Sequence, residues 1–317
     1  MTQSTPVLID TDPGLDDVLA LVLALRSPAV DVRAITVVAG NVSLARCTQN
    51  VLRILEVLDL DSPPPVFPGC EKPLSPPVVR AEHVHGSDGI GGVSKDFPVR
   101  HLQARSTHAV TAIIDAARRL KRRLTVIALG PLTNVASALA QDAPAMRGIG
   151  RLVVMGGSAD GRGNATPSAE FNFFSDPSAA RAVMRSGMPV VEVGLTVTQK
   201  AILPKARFDR QLALVTREPL RSFLAACAEP YFEFCLKHEG ADGCALHDPL
   251  AVAAAIEPGL LSTDRLHCDV VTAQGLTRGR MLVEAGGRDR DGPRIQVATA
   301  VDTPRFIDLF LGTVCSP

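Results

Sequence analysis

Val7-Leu8-Ile9-Asp10-Thr11-Asp12-Pro13-Gly14-Leu15-Asp16-Asp17-Val18, continuing as an apolar run to Leu25, is the stretch that decides the fold. Three apolar residues end abruptly at a polar, proline- and glycine-containing loop, and an apolar-periodic segment follows. That order predicts strand, tight loop, helix. Asp16 and Asp17 fall in the first helical turn, where unpaired backbone N–H groups favour negative charge. Arg33 to Val38 repeats the pattern as a second strand, followed by Gly40-Asn41 and a helix from about Ser43 to Leu58. Two β-loop-α units in succession predict an α/β protein: one open, mostly parallel sheet with helices on its faces.

Outward from there the alternation continues. A helix is expected over Ala104–Arg118, a strand over Leu124–Leu129, and a helix after Gly130-Pro131-Leu132-Thr133-Asn134 as far as Ala140. Arg151–Met155 and Pro189–Val193 read as strands. Asp176-Pro177 and Asp248-Pro249 each place a capping Asp before a proline at the first helical position. Leu212–Leu236 reads as a helix broken near Glu229-Pro230. Strands near Leu266–Val271, Gly279–Glu284 and Arg294–Ala298 precede a closing helix from about Pro304 to Leu311. The stretch Ser62–Asp96, rich in Pro, Gly and His, lacks periodicity, so a long functional loop is expected at about residues 62–100. No repeat or linker divides the chain, and residues 1–317 are expected to form one domain. Ligands of open α/β sheets bind at the C-terminal edge of the strands, which is where the polar segments fall here.

Thirty-three basic and 33 acidic side chains cancel, so no global charge bias points to a nucleic acid polymer or an anionic membrane. The N-terminus lacks the charge and cleavage pattern of a secretory signal. Val18–Leu25 is far shorter than the roughly 20 residues that cross a bilayer, and a cytoplasmic protein is expected. Seven scattered cysteines lack zinc-site spacing and read as ordinary thiols.

Asp10, Asp12, Asp16 and Asp17 lie within eight residues. Capping and helix-dipole effects explain one or two of them. Four carboxylates this close repel unless protons or a cation compensate. The ion implied is hard and oxygen-loving, calcium or magnesium.

With these residues in hand, the chain resembles the nucleoside hydrolase family of inosine–uridine-preferring type. Its opening signature Asp-Thr-Asp-Pro-Gly-X-Asp-Asp stands intact at Asp10–Asp17. Further matches are Gly40-Asn41, Gly130 to Asn134, Met155-Gly156-Gly157, Gly163-Asn164-Ala165-Thr166-Pro167, Ala169-Glu170-Phe171-Asn172, Asp176-Pro177 and His247-Asp248-Pro249, in family order across most of the chain. The resemblance implies a Rossmann-like nucleoside hydrolase fold. It also implies one Ca2+ on Asp12, Asp17, Asp248 and the Leu129 carbonyl, with Asp10 supporting the loop from behind. Its sugar-binding positions fall on Asp16, Asn41, Asn164, Glu170 and Asn172, chemically suited to ribose hydroxyls because amides and carboxylates accept and donate as needed.

The activity implied is calcium-dependent hydrolysis of the N-glycosidic bond of a small ribonucleoside. Asp12 would be the general base, and His247 and His85 would assist the departing base. His83 competes with His85 for that place. Lacking Trp, the chain cannot sandwich a purine between indoles, so base contacts are expected from Phe and the region of Tyr231 and Phe232, with pyrimidine or broad preference. Relatives of this kind are commonly homodimers or homotetramers. Rival readings are hydrolysis of a related riboside, a magnesium phosphohydrolase built on Asp10-Thr11-Asp12 with a downstream lysine, and a non-catalytic sugar-binding protein.

Overall fold

The computed structural model describes residues 4–284 and 293–316. Residues 1–3, part of the N-terminal stretch read above for a secretory signal, lie outside that range. The strands in chain order are β1 (Thr5–Thr11), β2 (Val30–Val37), β3 (Val66–Pro68), β4 (Thr125–Ala128), β5 (Arg151–Met155), β6 (Val190–Val193), β7 (Ile202–Pro204), β8 (Gly243–Ala245), β9 (Leu261–Val270), β10 (Met281–Glu284) and β11 (Arg294–Val301). Nine of them form one sheet in the order β10-β9-β11-β6-β5-β4-β1-β2-β3. Every adjacent pair from β11 to β3 is parallel, and β9 runs against both of its neighbours. β7 and β8 make a separate antiparallel pair.

Strand periodicity divides the core into two layers. Val7 and Ile9 of β1 pack on one face of the sheet with Ile127 and Val153, against the helices Leu15–Arg26, Leu44–Leu58, Glu218–Glu239, His247–Ile256 and Thr303–Val314. Leu8 faces the other way with Val126 and Val154, against the helices Ala109–Leu120, Thr133–Gln141 and Pro177–Met184. The helix Leu15–Arg26 is buried along its whole length from Leu15 to Ala24, which explains a composition apolar on every side rather than on one stripe. Among the described residues no helix is long and apolar enough to cross a membrane. Cys47, Cys227, Cys268 and Cys315 are buried thiols, as the scattered spacing suggested.

The mostly parallel α/β sheet flanked by helices is as the sequence reading expected, and the differences have local causes. Within 62–96 the chain forms the edge strand β3, one α-helical turn at Glu82–His85 and a short 3-10 turn at Val93–Lys95. A three-residue strand ending in proline carries no period to detect. The expected broken helix begins later, at Glu218, and passes unbroken through Pro230 to Glu239. A proline there removes one N–H, and burial of Phe223, Leu224, Cys227 and Tyr231 around it outweighs that loss. A separate helix, Lys205–Leu212, ends where the long one was expected to start. Asp176 does cap its helix, accepting from the Ala179 N–H, but Asp248 does not. That helix starts at His247 with no side-chain cap, so Asp248 lies inside the first turn with its carboxylate available elsewhere.

The chain runs from β1 outward through β2 and β3, then returns to β4 on the other side of β1 and proceeds to β5 and β6. The reversal leaves a crevice beyond the C-terminal ends of β1 and β4, where such folds place ligands. Asp12 follows β1, and Leu129 follows β4.

Candidate active site

Asp10, the penultimate residue of β1, is fully buried behind the crevice. Its Oδ1 accepts from Thr36 Oγ1 (2.6 Å) and Asn134 Nδ2 (2.8 Å), while its main-chain carbonyl holds the Leu129 N–H (2.8 Å). Burial pushes its carboxyl up to about 7 against the opposing pull of Thr36 and Asn134. Asp10 thus joins β1, β2 and the segment after β4 without lining the cavity.

Asp12 is clamped between two glycines. A Cβ on Gly40 would lie 1.9 Å from its Oδ2, and one on Gly130 would lie 2.3 Å from its Oδ1. Any side chain at either position would expel the carboxylate. Its Oδ2 also accepts the Asn41 N–H at 2.7 Å. Asp17 accepts from Thr11 Oγ1, from the Gly14 N–H (2.9 Å) and from Asn41 Nδ2 (3.3 Å). Asn41 therefore spans Asp12 and Asp17, a role that the Gly40-Asn41 motif only hinted at.

Carboxylate oxygens of Asp16, Asp17 and Asp248 all lie within 4.8 Å of one another. Asp248 arrives from a helix more than 200 residues further along the chain. Burial, followed by the charge of Asp17, raises Asp16 to about 7 and lifts Asp12 well above the carboxylate range. Asp248 is raised in the same direction by burial and then by Asp16, Asp17 and Asp12. Among the described residues no Lys or Arg ion pair reaches any of these acids. The donors on offer are carboxylate and carbonyl oxygens, and among the described residues no basic side chain pairs with their negative charge. That set fits a hard divalent cation.

A cavity of about 270 Å³ opens over this cluster. Asp12, Asp16, Asp248 and Leu129 reach its wall, as do Asn41, Asn164, Glu170 and Asn172; Asp10 and Asp17 do not. Asn172 Nδ2 donates to the Leu129 carbonyl (2.6 Å) and to the Met155 carbonyl (3.2 Å), tying together the ends of β4 and β5. Glu170 caps the short helix Phe171–Ser175: Oε1 accepts the Asn172 N–H (2.8 Å), and Oε2 accepts those of Gly157 (3.0 Å) and Phe173 (3.1 Å). Burial raises it to about 7 despite those bonds. Asn164, exposed at the mouth, accepts the Phe171 N–H at 2.9 Å.

The segment Val79–His85 supplies one wall, so the irregular stretch does reach the site. His85 is buried and its Nδ1 accepts the Leu15 N–H at 3.0 Å, capping the helix Leu15–Arg26 from 70 residues away. That bond fixes the neutral tautomer with the proton on Nε2. Burial, with His83 and His247 nearby, lowers His85 to about 3. His83 also lines the cavity but is exposed. His247 pairs its Nδ1 with Thr198 Oγ1 at 2.8 Å, and burial lowers it to about 4. Thr198 stood in no motif, and only the fold reveals it.

Phe171, Phe174, Tyr231 and Phe234 form the aromatic part of the wall. Phe232, expected there, instead packs on Phe208 in the core, because one residue's step along a helix turns the side chain by about 100°. The Tyr231 hydroxyl donates to the Ala245 carbonyl (2.6 Å), leaving its ring as the available surface. No lysine lines this cavity, which removes support for the phosphohydrolase reading. A larger concavity of about 730 Å³ lies at the opposite edge of the sheet, lined by Arg122, Arg147, Arg151, Arg265 and Arg294, with neither a carboxylate nor an imidazole among the described residues that line it.

Comparison with known proteins gives the family of the chain. The family model described as inosine-uridine preferring nucleoside hydrolase matches residues 7–308. A pyrimidine-specific ribonucleoside hydrolase, RihA, of Citrobacter koseri is 38% identical over 305 residues, covering 96% of each chain. A plant nucleoside hydrolase structure superposes with a TM-score of 0.91 at 29% identity, covering 99% of this chain and 100% of the other. The purine-preferring ribonucleoside hydrolase from Gardnerella vaginalis gives 0.90 at 32% identity, covering 98% of each.

Proposed function

This chain belongs to the inosine–uridine preferring nucleoside hydrolase family and cleaves the N-glycosidic bond of a small nucleoside, and we propose that it does so on ribonucleosides, with calcium, preferring pyrimidines or accepting bases broadly. The observation that carries this reading is the buried group Asp16, Asp17 and Asp248, facing a cavity walled by Asp12, Asn41, Glu170 and Asn172. The whole chain serves as one hydrolase domain, with residues 62–100 as its functional loop, and assembles as a homodimer or homotetramer.

Asp12, Asp17, Asp248 and the Leu129 carbonyl would hold the ion. Calcium, when bound, supplies Lewis acidity that makes water a better nucleophile near neutral pH. Asp12, fixed by Gly40, Gly130 and the Asn41 N–H, takes the proton as water attacks C1′. The bond between C1′ and the base nitrogen breaks as the new C–O bond forms, with inversion at C1′. Positive charge spreading over the sugar ring is stabilised by the carboxylates of Asp16 and Glu170. Asn41, Asn164, Glu170 and Asn172 bind the ribose hydroxyls. A site built this way rejects a deoxyribose, because its buried polar groups would lose their partners.

The histidines act as neutral groups. His85, with Nδ1 occupied by Leu15, donates a hydrogen bond from Nε2–H to the departing base, which leaves as an anion and takes its proton from solvent, and His247 is held by Thr198 in the same cavity wall. Pyrimidine preference rests on the likeness to the RihA relative and on the absence of Trp. The scaffold is also similar to that of a purine-preferring enzyme, which supports placing the choice of base in the few residues of the cavity wall.

The test is a panel of uridine, cytidine, inosine, adenosine and 2′-deoxyuridine, with free sugar measured before and after thorough calcium chelation. Chelator-sensitive ribose release, fastest from uridine or cytidine, is expected. Release indifferent to calcium removal would reject the metal assignment, and release from inosine alone would reject the base preference.

A further inference from the structure

Glu192 is a buried ionisable group whose carboxyl oxygens have no hydrogen-bond partner, and the reaction described for the site does not use it. It sits in the middle of β6, between β5 and β11, opposite Val154 on one side and Val297 on the other. It is 1% exposed, and neither carboxyl oxygen has a hydrogen-bond partner. The Ala298 N–H is near enough to favour the charged form but too poorly placed to make a bond. Strand alternation puts Glu192 on the same face as Val190, in the layer that contains Phe173, Met281 and Cys268. An ionised carboxylate there would be uncompensated, and burial, reinforced by the charge of Glu170, raises Glu192 to about 8.

A main-chain carbonyl oxygen also lies beside it. A Cβ placed on Gly194 would fall 2.0 Å from Glu192 Oε1 and 2.5 Å from the Gly157 carbonyl oxygen, so these two oxygens are neighbours around one point. Two lone-pair oxygens placed so near each other repel unless one of them carries a proton to offer the other, which a neutral carboxylic acid does. Gly157 is held on its other side by the site: its N–H donates to Glu170 Oε2 at 3.0 Å. Its φ of +80° is open to glycine alone at little cost, so this peptide needs external support to hold its orientation. Its carbonyl already accepts the Leu195 N–H at 3.0 Å and has a second lone pair to offer.

We propose that Glu192 is a positioning residue: as a neutral carboxylic acid it donates to the Gly157 carbonyl and thereby fixes the peptide whose N–H holds Glu170 at the cavity wall. No proton is transferred; the acid acts only as a donor. A glutamate performs this task where methionine, of similar shape, would only fill space. The inference rests on the reading of Glu170 as a ribose ligand.

Two substitutions separate donation from packing. Glu192→Gln keeps the shape and an N–H donor, whereas Glu192→Met keeps the shape and removes it. Glu192→Gln should stay within about twofold of the parent in kcat/KM. Glu192→Met should raise KM for ribonucleosides about two- to tenfold with a smaller change in kcat, the size of one hydrogen bond's net contribution. Infrared difference spectra should show a protonated carboxyl band at neutral pH that shifts in D2O and vanishes in Glu192→Gln. Equal behaviour of the two variants, whether both intact or both impaired, would overturn the proposal, as would absence of that band. Glu170→Gln, measured in parallel, tests the ribose reading by itself: an unchanged KM there would remove the ribose role, while the infrared band still reports on the proton of Glu192.

Discussion

Stripping divalent cations from the protein and returning calcium stepwise should raise its thermal midpoint, by an amount that can be worked out. Oxygens of Asp16, Asp17 and Asp248 lie within 4.8 Å of one another. At that separation, two ionised carboxylates repel by about 3.5 kcal/mol at an effective dielectric of about 20. Three such pairs would approach a typical whole-domain stability of about 5–15 kcal/mol, so a cation at this place acts on the fold as well as on the reaction. Calcium at about a hundredfold above its Kd adds about 2.7 kcal/mol to the folded state. With an unfolding entropy of about 2.1 cal/mol/K per residue over 317 residues, that corresponds to a rise of about 4 °C. Calorimetry or far-ultraviolet circular dichroism would read it, since the chain has no Trp to report by fluorescence. Asp248→Asn keeps the shape and removes one charge; its calcium-dependent rise should fall below about 1 °C. A wild-type midpoint indifferent to millimolar calcium would refute the reasoning, and so would an undiminished rise in Asp248→Asn.

Two other perturbations address the remaining parts of the site. Gly130→Ala places a methyl group where Asp12 Oδ1 now lies, and should cut turnover at least about a hundredfold with the circular dichroism spectrum unchanged, as Asp12→Asn should; a fully active variant would show that Asp12 is not held as described. His85 is lowered to about 3 by burial, below its ordinary 6.5, so the unfolded chain binds the extra proton first. Its contribution to stability is complete above about pH 6.5 and declines as the pH falls toward 3. Thermal midpoints followed across that range should fall less steeply in His85→Gln by one proton's worth, and parallel curves would sink the assignment.

Legibility in the sequence followed chain distance. The strand, loop and helix of residues 7–25 could be read because they are local: an apolar run, a proline-glycine turn and a helical period are set by neighbours in the chain. β3 could not, because three residues ending in a proline have no period and become a strand only by pairing with β2. The unbroken helix at Pro230 was missed for the opposite reason, a strong local signal overridden by buried neighbours. Phe232 was placed on the wrong side because its neighbour Tyr231 faces the cavity.

The sequence alone determined that four carboxylates lie within eight residues at the end of an apolar strand, a crowding that calls for protons or a cation, while the sugar-directed chemistry came with the likeness to the nucleoside hydrolase family. Only the tertiary structure decided how that crowd is divided. Asp10 turns inward to Thr36 and Asn134, and Asp12 is pinned by Gly40 and Gly130 from two other loops. Asp248 completes the group because its helix begins two residues earlier than the cap rule implies, at His247 and not at Pro249. His85 is recruited to cap a helix 70 residues upstream, and Glu192 lies beneath Glu170 without any motif to announce it. These are long-range juxtapositions at the reversal of a parallel sheet, where residues far apart in the chain meet because strand order, not sequence order, sets who is adjacent.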